Sequence, residues 1–209
     1  MLKEIRPAIV MIVVMTVITG LAYPLGMTGL AQLVFPRQAN GSLIERDGKV
    51  IGSGLIGQNF TGDKYFHGRP SATTEPDPKD PAKTVAVPYA ADNSGASNAG
   101  PTAKALVDRV EDDTARLQAE NPNTPVPVDL VTTSASGLDP DITPAGAEFQ
   151  VPRVARARGI GEDKLRQLIA DNTTDRTLGI LGEKRVNVLA LNLALDAAMS
   201  GGKQPGESK

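Results

Sequence analysis

Residues 7–36 have the sequence PAIVMIVVMTVITGLAYPLGMTGLAQLVFP, a stretch of 30 residues without a charged side chain. A helix rises about 1.5 Å per residue, so this stretch could reach roughly 45 Å, against a bilayer hydrocarbon core of about 30 Å. No later part of the chain resembles it. The sequence therefore predicts a single membrane anchor at residues 7–36, between a short N-terminal segment, residues 1–6, and a water-soluble body.

Two other interpretations of this stretch are weaker. A cleaved signal peptide normally has an apolar region of about 7–15 residues before a small-x-small site, and this stretch continues well beyond that length. A buried core helix is disfavoured because about 18 apolar residues already suggest a membrane span.

The charges before the anchor predict its orientation. Lys3 and Arg6 precede the span and only Glu4 opposes them. Cytoplasmic flanks carry the Lys/Arg excess, so we expect residues 1–6 in the cytoplasm. The protein would then cross the cell (inner or plasma) membrane once, with its main domain outside the cytoplasm.

Composition excludes several classes of protein. The 209 residues carry 22 Lys and Arg against 24 Asp and Glu, which gives no electrostatic case for nucleic-acid binding. There is no cysteine, which excludes disulfides and thiol catalysis, and one histidine cannot make a multi-histidine zinc site. We therefore expect no metal held by this chain.

The body is predicted to be one mixed α+β domain, residues 37–199, followed by a disordered tail, residues 200–209. Short apolar runs and the turn signal at 46–49 predict strands in 38–60, and prolines predict a long loop at 61–100. An extended piece is expected at 126–131. Capping residues and apolar periodicity predict four helices, at 101–120, 143–158 with a kink at Pro152, 162–171 and 187–199. Pro24 should bend or end the anchor helix.

Gly52-Ser53-Gly54-Leu55-Ile56-Gly57 matches the spacing of a dinucleotide-binding loop. Such a loop needs a helix directly after it, and Gln58-Asn59-Phe60-Thr61-Gly62 is a poor helix start. Tight turns between strands are the better interpretation of these glycines.

Two further patterns, a pair of serines and a cluster of arginines, each have a functional interpretation and a structural alternative. Ser134 or Ser136 could act with His67 in a membrane-tethered hydrolase, but no nucleophile elbow is present and a polar turn is the favoured interpretation of the serines. A cluster of arginines at 153, 156, 158 and 166 is interpreted as a solvated helix face rather than a docking patch for acidic partners.

Six stretches together resemble the C subunit of the Kdp potassium-transporting P-type ATPase. They are TGLAYP (19–24), GSGLIGQNF (52–60), YFHGRPSA (65–72), SGASNAGPT (94–102), VDLVTTSASGLDP (128–140) and VNVL (186–189). They follow the family's order over nearly the whole chain, which departs from the family pattern at Asp141 and Pro152.

The resemblance implies a complex with a channel-like potassium-translocating subunit, a P-type catalytic subunit and a small single-span subunit, all in membrane lipid. In that family this subunit aids assembly, raises the ATP affinity of the hydrolysing subunit as a catalytic chaperone, and caps the outer potassium entrance. ATP, Mg²⁺ and potassium are implied for the complex, and no cofactor is implied for this chain.

The sequence itself constrains that role. It lacks the Asp-Lys-Thr-Gly loop that a P-type pump phosphorylates, and one span cannot enclose an ion path. We therefore expect an accessory subunit without catalytic residues, which influences nucleotide affinity only indirectly.

The residues predicted to contact partners lie in the anchor and in the family-like stretches. They are Gly20, Tyr23, Gly26, Gln58, Phe60, Tyr65, Phe66, Arg69, Asn98, Asp129, Ser136 and Asp139. Buried caps and turns would explain Asn98, Asp129 and Asp139 equally well. A free-standing scaffold module is a further alternative.

Overall fold

A computed structural model describes residues 2–200, which separate into two compact units, one up to Ile44 and one from Glu45 onward. Each unit is described by itself. The predicted tail at 200–209 lies outside the described residues, except that Ser200 is the last residue of a helix.

The first unit is helical. Its elements are α1 (Leu2–Val17), a π-helical turn (Ile18–Ala22), α2 (Tyr23–Val34) and α3 (Pro36–Ala39). The helical run Lys3–Val34 is long and apolar enough to cross a membrane, and 0% of its most apolar window is buried inside the protein. Phe35 ends α2 with a non-helical φ of −134° and ψ of 56°, since the α region is disfavoured for a residue before proline.

Pro24 was predicted to bend or to end the anchor helix, and it does not end it. Proline has no N–H and its ring crowds the carbonyl four residues earlier. The chain accommodates it with the π turn, in which the N–H of Tyr23 donates to the carbonyl of Ile18, five residues back. The α-helix then resumes through Pro24.

The second unit is a mixture of helices and strands, in agreement with the predicted α+β class. Its strands are β1 (Leu43–Arg46, which begins before the boundary), β2 (Lys49–Ser53), β3 (Thr74–Asp77), β4 (Asp80–Ala86), β5 (Asp141–Ile142), β6 (Thr173–Thr174) and β7 (Arg185–Asn187). Its helices are α4 (Lys104–Glu120), a 3₁₀ turn (Val128–Leu130), α5 (Pro144–Arg158), α6 (Glu162–Asp171) and α7 (Val188–Ser200).

The strands form two hairpins and one small sheet. β1 and β2 pair across the predicted polar turn, where Asp47 and Gly48 both have positive φ. The three-stranded sheet has the antiparallel order β5-β7-β6.

Two predictions about the body were wrong. The expected loop at 61–100 contains the β3–β4 hairpin, in which Thr74 pairs with Ala86 and the Asp77 carboxylate accepts from the N–H of Lys79 in the turn. The expected extended piece at 126–131 instead contains the 3₁₀ turn Val128–Leu130.

The helix predictions were largely confirmed, because their end signals act locally. Thr143 caps α5, its hydroxyl accepting from the N–H of Gly146 at 2.9 Å, and Gly159 ends the helix with a φ of 65°. The first helix begins at Lys104 rather than Pro101.

The hydrophobic core lies between α5, α6 and α7 and is mainly aliphatic, as the scarcity of aromatic residues requires. Its fully buried members include Val151, Val154, Leu165, Leu191 and Leu195.

Candidate functional site

We call residues 63–69 the clamped segment, because side chains of α5 and α7 hold its first five residues. Asn192 of α7 is 1% exposed, and its amide makes two hydrogen bonds of 2.9 Å with the backbone of Phe66, one from the N–H and one to the carbonyl. A side-chain amide thus does for this segment what a neighbouring strand does in a sheet.

Gln150 of α5 repeats this arrangement one residue further along. Its Oε1 accepts from the N–H of His67 at 2.8 Å, and its Nε2 donates to the carbonyl of His67 at 3.1 Å. The same Nε2 donates to the carbonyl of Gly146 at 3.1 Å. Two amides from two helices therefore satisfy the main chain on both sides of the Phe66–His67 peptide bond.

Two arginines extend the clamp. Arg153 donates to the carbonyls of Asp63 at 2.7 Å and Tyr65 at 3.0 Å. Arg158 donates to the carbonyl of Lys64 at 2.7 Å, pairs with Asp196 at 2.8 Å and lies over the Tyr65 ring at 4.7 Å.

The predicted solvated arginine face is therefore wrong for two of its four members. The side chains of Arg153 and Arg158 are only 13% and 11% exposed, since they bind main-chain carbonyls. Arg156 and Arg166 are exposed, and Arg166 forms ion pairs with Glu148, Glu162 and Asp163.

Arg69 joins the clamped segment to the loop 132–139. Its guanidinium pairs with the Asp139 carboxylate at 3.0 Å and also donates to the carbonyls of Thr132 and Thr133. The other oxygen of Asp139 accepts from the N–H of Asp141 at 3.0 Å. This ion pair forms one wall of an open cleft of about 290 Å³, which Lys184 and Arg185 also line.

Ser71, from the same stretch as Arg69, and two further stretches converge on this loop through hydrogen bonds. The hydroxyl of Ser71 donates to the carbonyl of Gly137 at 2.7 Å. The carbonyl of Ser136 accepts from the N–H of Gly95 at 2.9 Å, and the carbonyl of Leu138 accepts from the N–H of Gly57 at 2.8 Å. Residues from 52–60, 65–72, 94–102 and 128–140 thus form one junction.

Glycines at this junction allow close backbone approach. A Cβ on Gly57 would lie 2.7 Å from the carbonyl oxygen of Asp139, and a Cβ on Gly137 would lie 2.6 Å from the carbonyl oxygen of Gly95. A Cβ on Gly52 would lie 2.7 Å from the side chain of Leu189. Close packing, not only tight turns as predicted, therefore requires glycine in the 52–57 motif. No helix follows that motif, which agrees with rejecting a dinucleotide loop.

Three groups near the junction have shifted pKa values. Burial, followed by the charge of Arg153, lowers the pKa of His67. Burial, followed by the charge of Asp139, raises the pKa of Asp141. Burial raises the pKa of Tyr89 to about 12, while its hydroxyl donates to the carbonyl of Arg69 at 2.7 Å.

The contacts of His67, Ser134 and Ser136 are those of loop and turn residues. The His67 ring contacts the carbonyl of Gly62 at 3.1 Å. The Ser134 and Ser136 hydroxyls accept from backbone N–H groups within their own turn, at 3.0 and 3.1 Å. Within residues 2–200 no hydrogen bond joins His67 to either serine, so the polar-turn interpretation holds.

Some predicted interface residues have a structural task inside the domain. Phe66 is 0% exposed and lies in the core. Asp129 is 6% exposed, and its carboxylate accepts from the N–H of Thr143 at 2.7 Å at the start of α5. The alternative of fold maintenance therefore applies to these two residues.

The other predicted interface residues remain predictions. Gln58 donates to the carbonyl of Ile51 at 2.7 Å, and the rings of Phe60 and Tyr65 lie 5.4 Å apart. Asn98 and Ser136 are exposed, Asn98 with a φ of 47°. In the anchor, Tyr23 is 64% exposed, and nothing lies within 4 Å of a Cβ built on Gly26, while one on Gly20 meets only Thr16 at 3.9 Å.

Sequence reasoning missed the clamp itself, namely Gln150, Arg153, Arg158, Asn192 and Asp196. One signal was available, because Asn192 is the single polar residue between Val188 and Leu195 in an apolar helix. Among the described residues, no three His, Asp or Glu side chains come together as metal ligands.

Comparison with known proteins places these features in a family. Residues 5–197 match the family model described as "K+-transporting ATPase, c chain". The chain is 70% identical over 198 residues to a potassium-transporting ATPase KdpC subunit of Rhodopseudomonas palustris strain BisB18, covering 95% of this chain and 100% of the relative. It is 69% identical to a protein of the same description from Bradyrhizobium diazoefficiens, covering 95% and 98%. A third such protein, from Methylobacterium nodulans, is 66% identical over 196 residues, covering 94% and 98%.

Proposed function

The chain belongs to the KdpC family of K+-transporting ATPase subunits, as its resemblance predicted, and on that premise we propose that it is a non-catalytic subunit that stabilises the complex. Two observations carry this proposal: the apolar helix Lys3–Val34 is exposed, and polar side chains of the second unit are used to hold its own loops. Its partners would be the potassium-translocating subunit, the P-type catalytic subunit and the small single-span subunit. ATP, Mg²⁺ and potassium would be bound by those partners.

The second unit would lie outside the cytoplasm. Lys3 and Arg6 precede the anchor, and the Lys/Arg excess marks the cytoplasmic end of a span. In that position the domain would cap the outer entrance of the potassium path. Its junction is suited to this task because hydrogen bonds fix all four of its stretches, so that it presents a preorganised surface.

An effect on ATP affinity would then be indirect. A domain outside the membrane cannot touch cytoplasmic ATP, so it must favour one conformation of its partners over another. Coupling free energies of this kind are typically about 1–3 kcal/mol, a 5- to 150-fold change in affinity.

Each unit would contribute contacts of its own, the anchor in the first unit and the exposed part of the junction in the second. In the anchor, Gly20 and Gly26 allow close approach of a partner helix, because small residues bring helix backbones together in lipid. In the domain, Asn98 and Ser136 are exposed and Arg69 and Asp139 border the open cleft.

Topology and assembly test this proposal directly. The chain has no cysteine, so Val50→Cys, at a 55%-exposed position of the second unit, introduces a single thiol. We expect a membrane-impermeant thiol reagent to label it in intact cells, and a P-type ATPase to co-purify with the tagged chain in mild detergent. Labelling only after the cells are broken would refute the external placement. Purification without an ATPase would refute the subunit role.

A further inference from the structure

The loop between β6 and β7 exposes three aliphatic side chains. Leu178 is 84% exposed, Ile180 is 74% exposed and Leu181 is 58% exposed. We call these three residues the apolar tip. They lie close together in sequence on the folded domain, outside the junction described above.

The turn that carries the tip is closed by its own backbone hydrogen bonds. Thr177 and Leu181 bond to each other in both directions, with N–H to carbonyl distances of 2.8 and 2.9 Å. Gly179 and Gly182 adopt φ values of 77° and 78°, which allow the tight turn. These bonds constrain the backbone of the loop, so less backbone order has to be gained when something binds the tip.

Leu178 occupies a position that disfavours leucine in two ways. Its φ of 56° is in the left-handed region, where Gly, Asn and Asp are better tolerated than aliphatic residues. Most of its apolar surface is also in water. Burial of the side chain by a binding partner would offset the second cost.

The charges around the tip distinguish between possible binding partners. Every cation of 175–185 is paired: Arg176 with Glu183, Lys184 with Asp175 at 3.3 Å, and Arg185 with Asp141 at 3.2 Å. A loop that enters an anionic lipid surface would be expected to present unpaired Lys or Arg. We call these three ion pairs the paired collar. An apolar tip flanked by ion pairs without net charge instead suits an apolar pocket with a polar rim on a protein.

We propose that the apolar tip inserts into an aliphatic socket on another chain of the K+-transporting ATPase. This rests on the proposed function, since the socket belongs to a subunit of that complex. The tip would be the anchoring contact of the domain, and the paired collar would form the polar rim around it.

The rate at which a thiol reacts tests the proposal in the full-length protein. Leu178→Cys and the control Val50→Cys each place one thiol in the chain. Each variant is reconstituted in lipid nanodiscs, both alone and assembled with the other subunits, and treated with a maleimide. We expect assembly to slow labelling of Leu178→Cys at least tenfold and to leave Val50→Cys within twofold.

Three results would overturn the proposal while leaving the subunit role intact. Equal labelling of Leu178→Cys with and without the other subunits would show that no chain covers the tip. Protection in nanodiscs without the other subunits would assign the tip to lipid. Protection that rises with the concentration of the isolated chain would assign it to a second copy. Failure of wild type to assemble would instead refute the proposed function.

A second variant measures the contribution of the tip to assembly. Leu178→Ser with Ile180→Ser should lower the amount of chain retained with the tagged complex at least tenfold in mild detergent. The matched control is Val50→Ser with Val107→Ser, at positions 55% and 40% exposed, which should leave retention within twofold. Equal retention of both double variants would overturn the proposal.

Discussion

The clamped segment and the loop that carries the apolar tip differ in an unexpected way. The first is mostly polar but contributes a buried side chain to the core, and the second is mostly apolar but is exposed to solvent. The clamped segment contains Asp63, Lys64, His67 and Arg69, yet it runs against two helices and buries Phe66 completely. The loop 177–182 is mostly apolar, yet it exposes Leu178 and Ile180. The difference lies in the partners that each segment finds within the domain.

Main-chain hydrogen bonding explains the contrast. The clamped segment belongs to no β-strand, but Asn192 and Gln150 satisfy the N–H and carbonyl groups of Phe66 and His67, so Phe66 can be buried without unpaired main-chain groups. The loop 177–182 bonds to itself across its own turn and requires nothing from the helices. Polarity of a loop is therefore a poor guide to its burial, and the predictions below test that.

The largest effect is expected from Phe66→Ala. Removing a fully buried phenylalanine leaves a cavity and should lower the free energy of unfolding by about 3–5 kcal/mol. Ile180→Ala, at a 74%-exposed position, should change it by less than about 0.5 kcal/mol. Denaturant unfolding of the purified chain in detergent measures both, and similar losses for the two variants would contradict the contrast.

Asn192→Ala should have the next largest effect. It leaves the buried N–H and carbonyl of Phe66 without partners, and each such group costs about 1–3 kcal/mol. We expect a loss of about 3 kcal/mol in the same unfolding measurement. The control Asn123→Ala, at an exposed position, should change stability by less than about 0.5 kcal/mol. A loss below 1 kcal/mol for Asn192→Ala would show that water replaces the amide.

A smaller change in the free energy of unfolding is expected when the pH is lowered, because His67 lies in the clamped segment. The pKa of His67 is lowered in the folded state, so the unfolded chain binds a proton first as the pH falls. Stability should therefore decrease as the pH falls through about 6.5, the ordinary value, and level off below the folded pKa. His67→Gln should remove this part of the slope between pH 7 and 5. Identical slopes for variant and wild type would refute the assignment.

The smallest effect, of opposite sign, is expected at the apolar tip. Leu178→Asn places a residue that tolerates the left-handed region where an exposed leucine now lies. The isolated chain should gain about 0.5 kcal/mol, because little apolar burial is lost. Leu55→Asn, at a 62%-exposed position with ordinary φ, should give no gain. A loss at Leu178 would mean that the leucine packs within the domain.

The sequence predicted those parts of the fold that depend on local signals. The long apolar helix follows from composition. The ends of α5 follow from Thr143 and Gly159, whose effects act within one helical turn. The hairpin at Thr74–Ala86 was missed because its strands are polar and contain Pro76 and Pro81, which normally argue against a strand.

The clamp could not be derived in the same way. Asn192 and Phe66 are separated by 126 residues in sequence, and nothing near either residue indicates the other. Resemblance to a family located the stretches that meet at the junction, but not the amides and arginines that join them. The apolar tip left a readable pattern, Leu178-Gly179-Ile180-Leu181, whose exposure only the fold reveals.

The π turn at Ile18–Ala22 has a consequence for how the anchor meets its surroundings. One added residue rotates the helix surface by about 100° relative to an uninterrupted α-helix. Residues before Ile18 and after Ala22 therefore face directions that a simple helical wheel assigns wrongly. Deleting one residue of this turn would swing the N-terminal half of the anchor by the same angle, keeping its composition and hydropathy nearly unchanged while misaligning it against any neighbour.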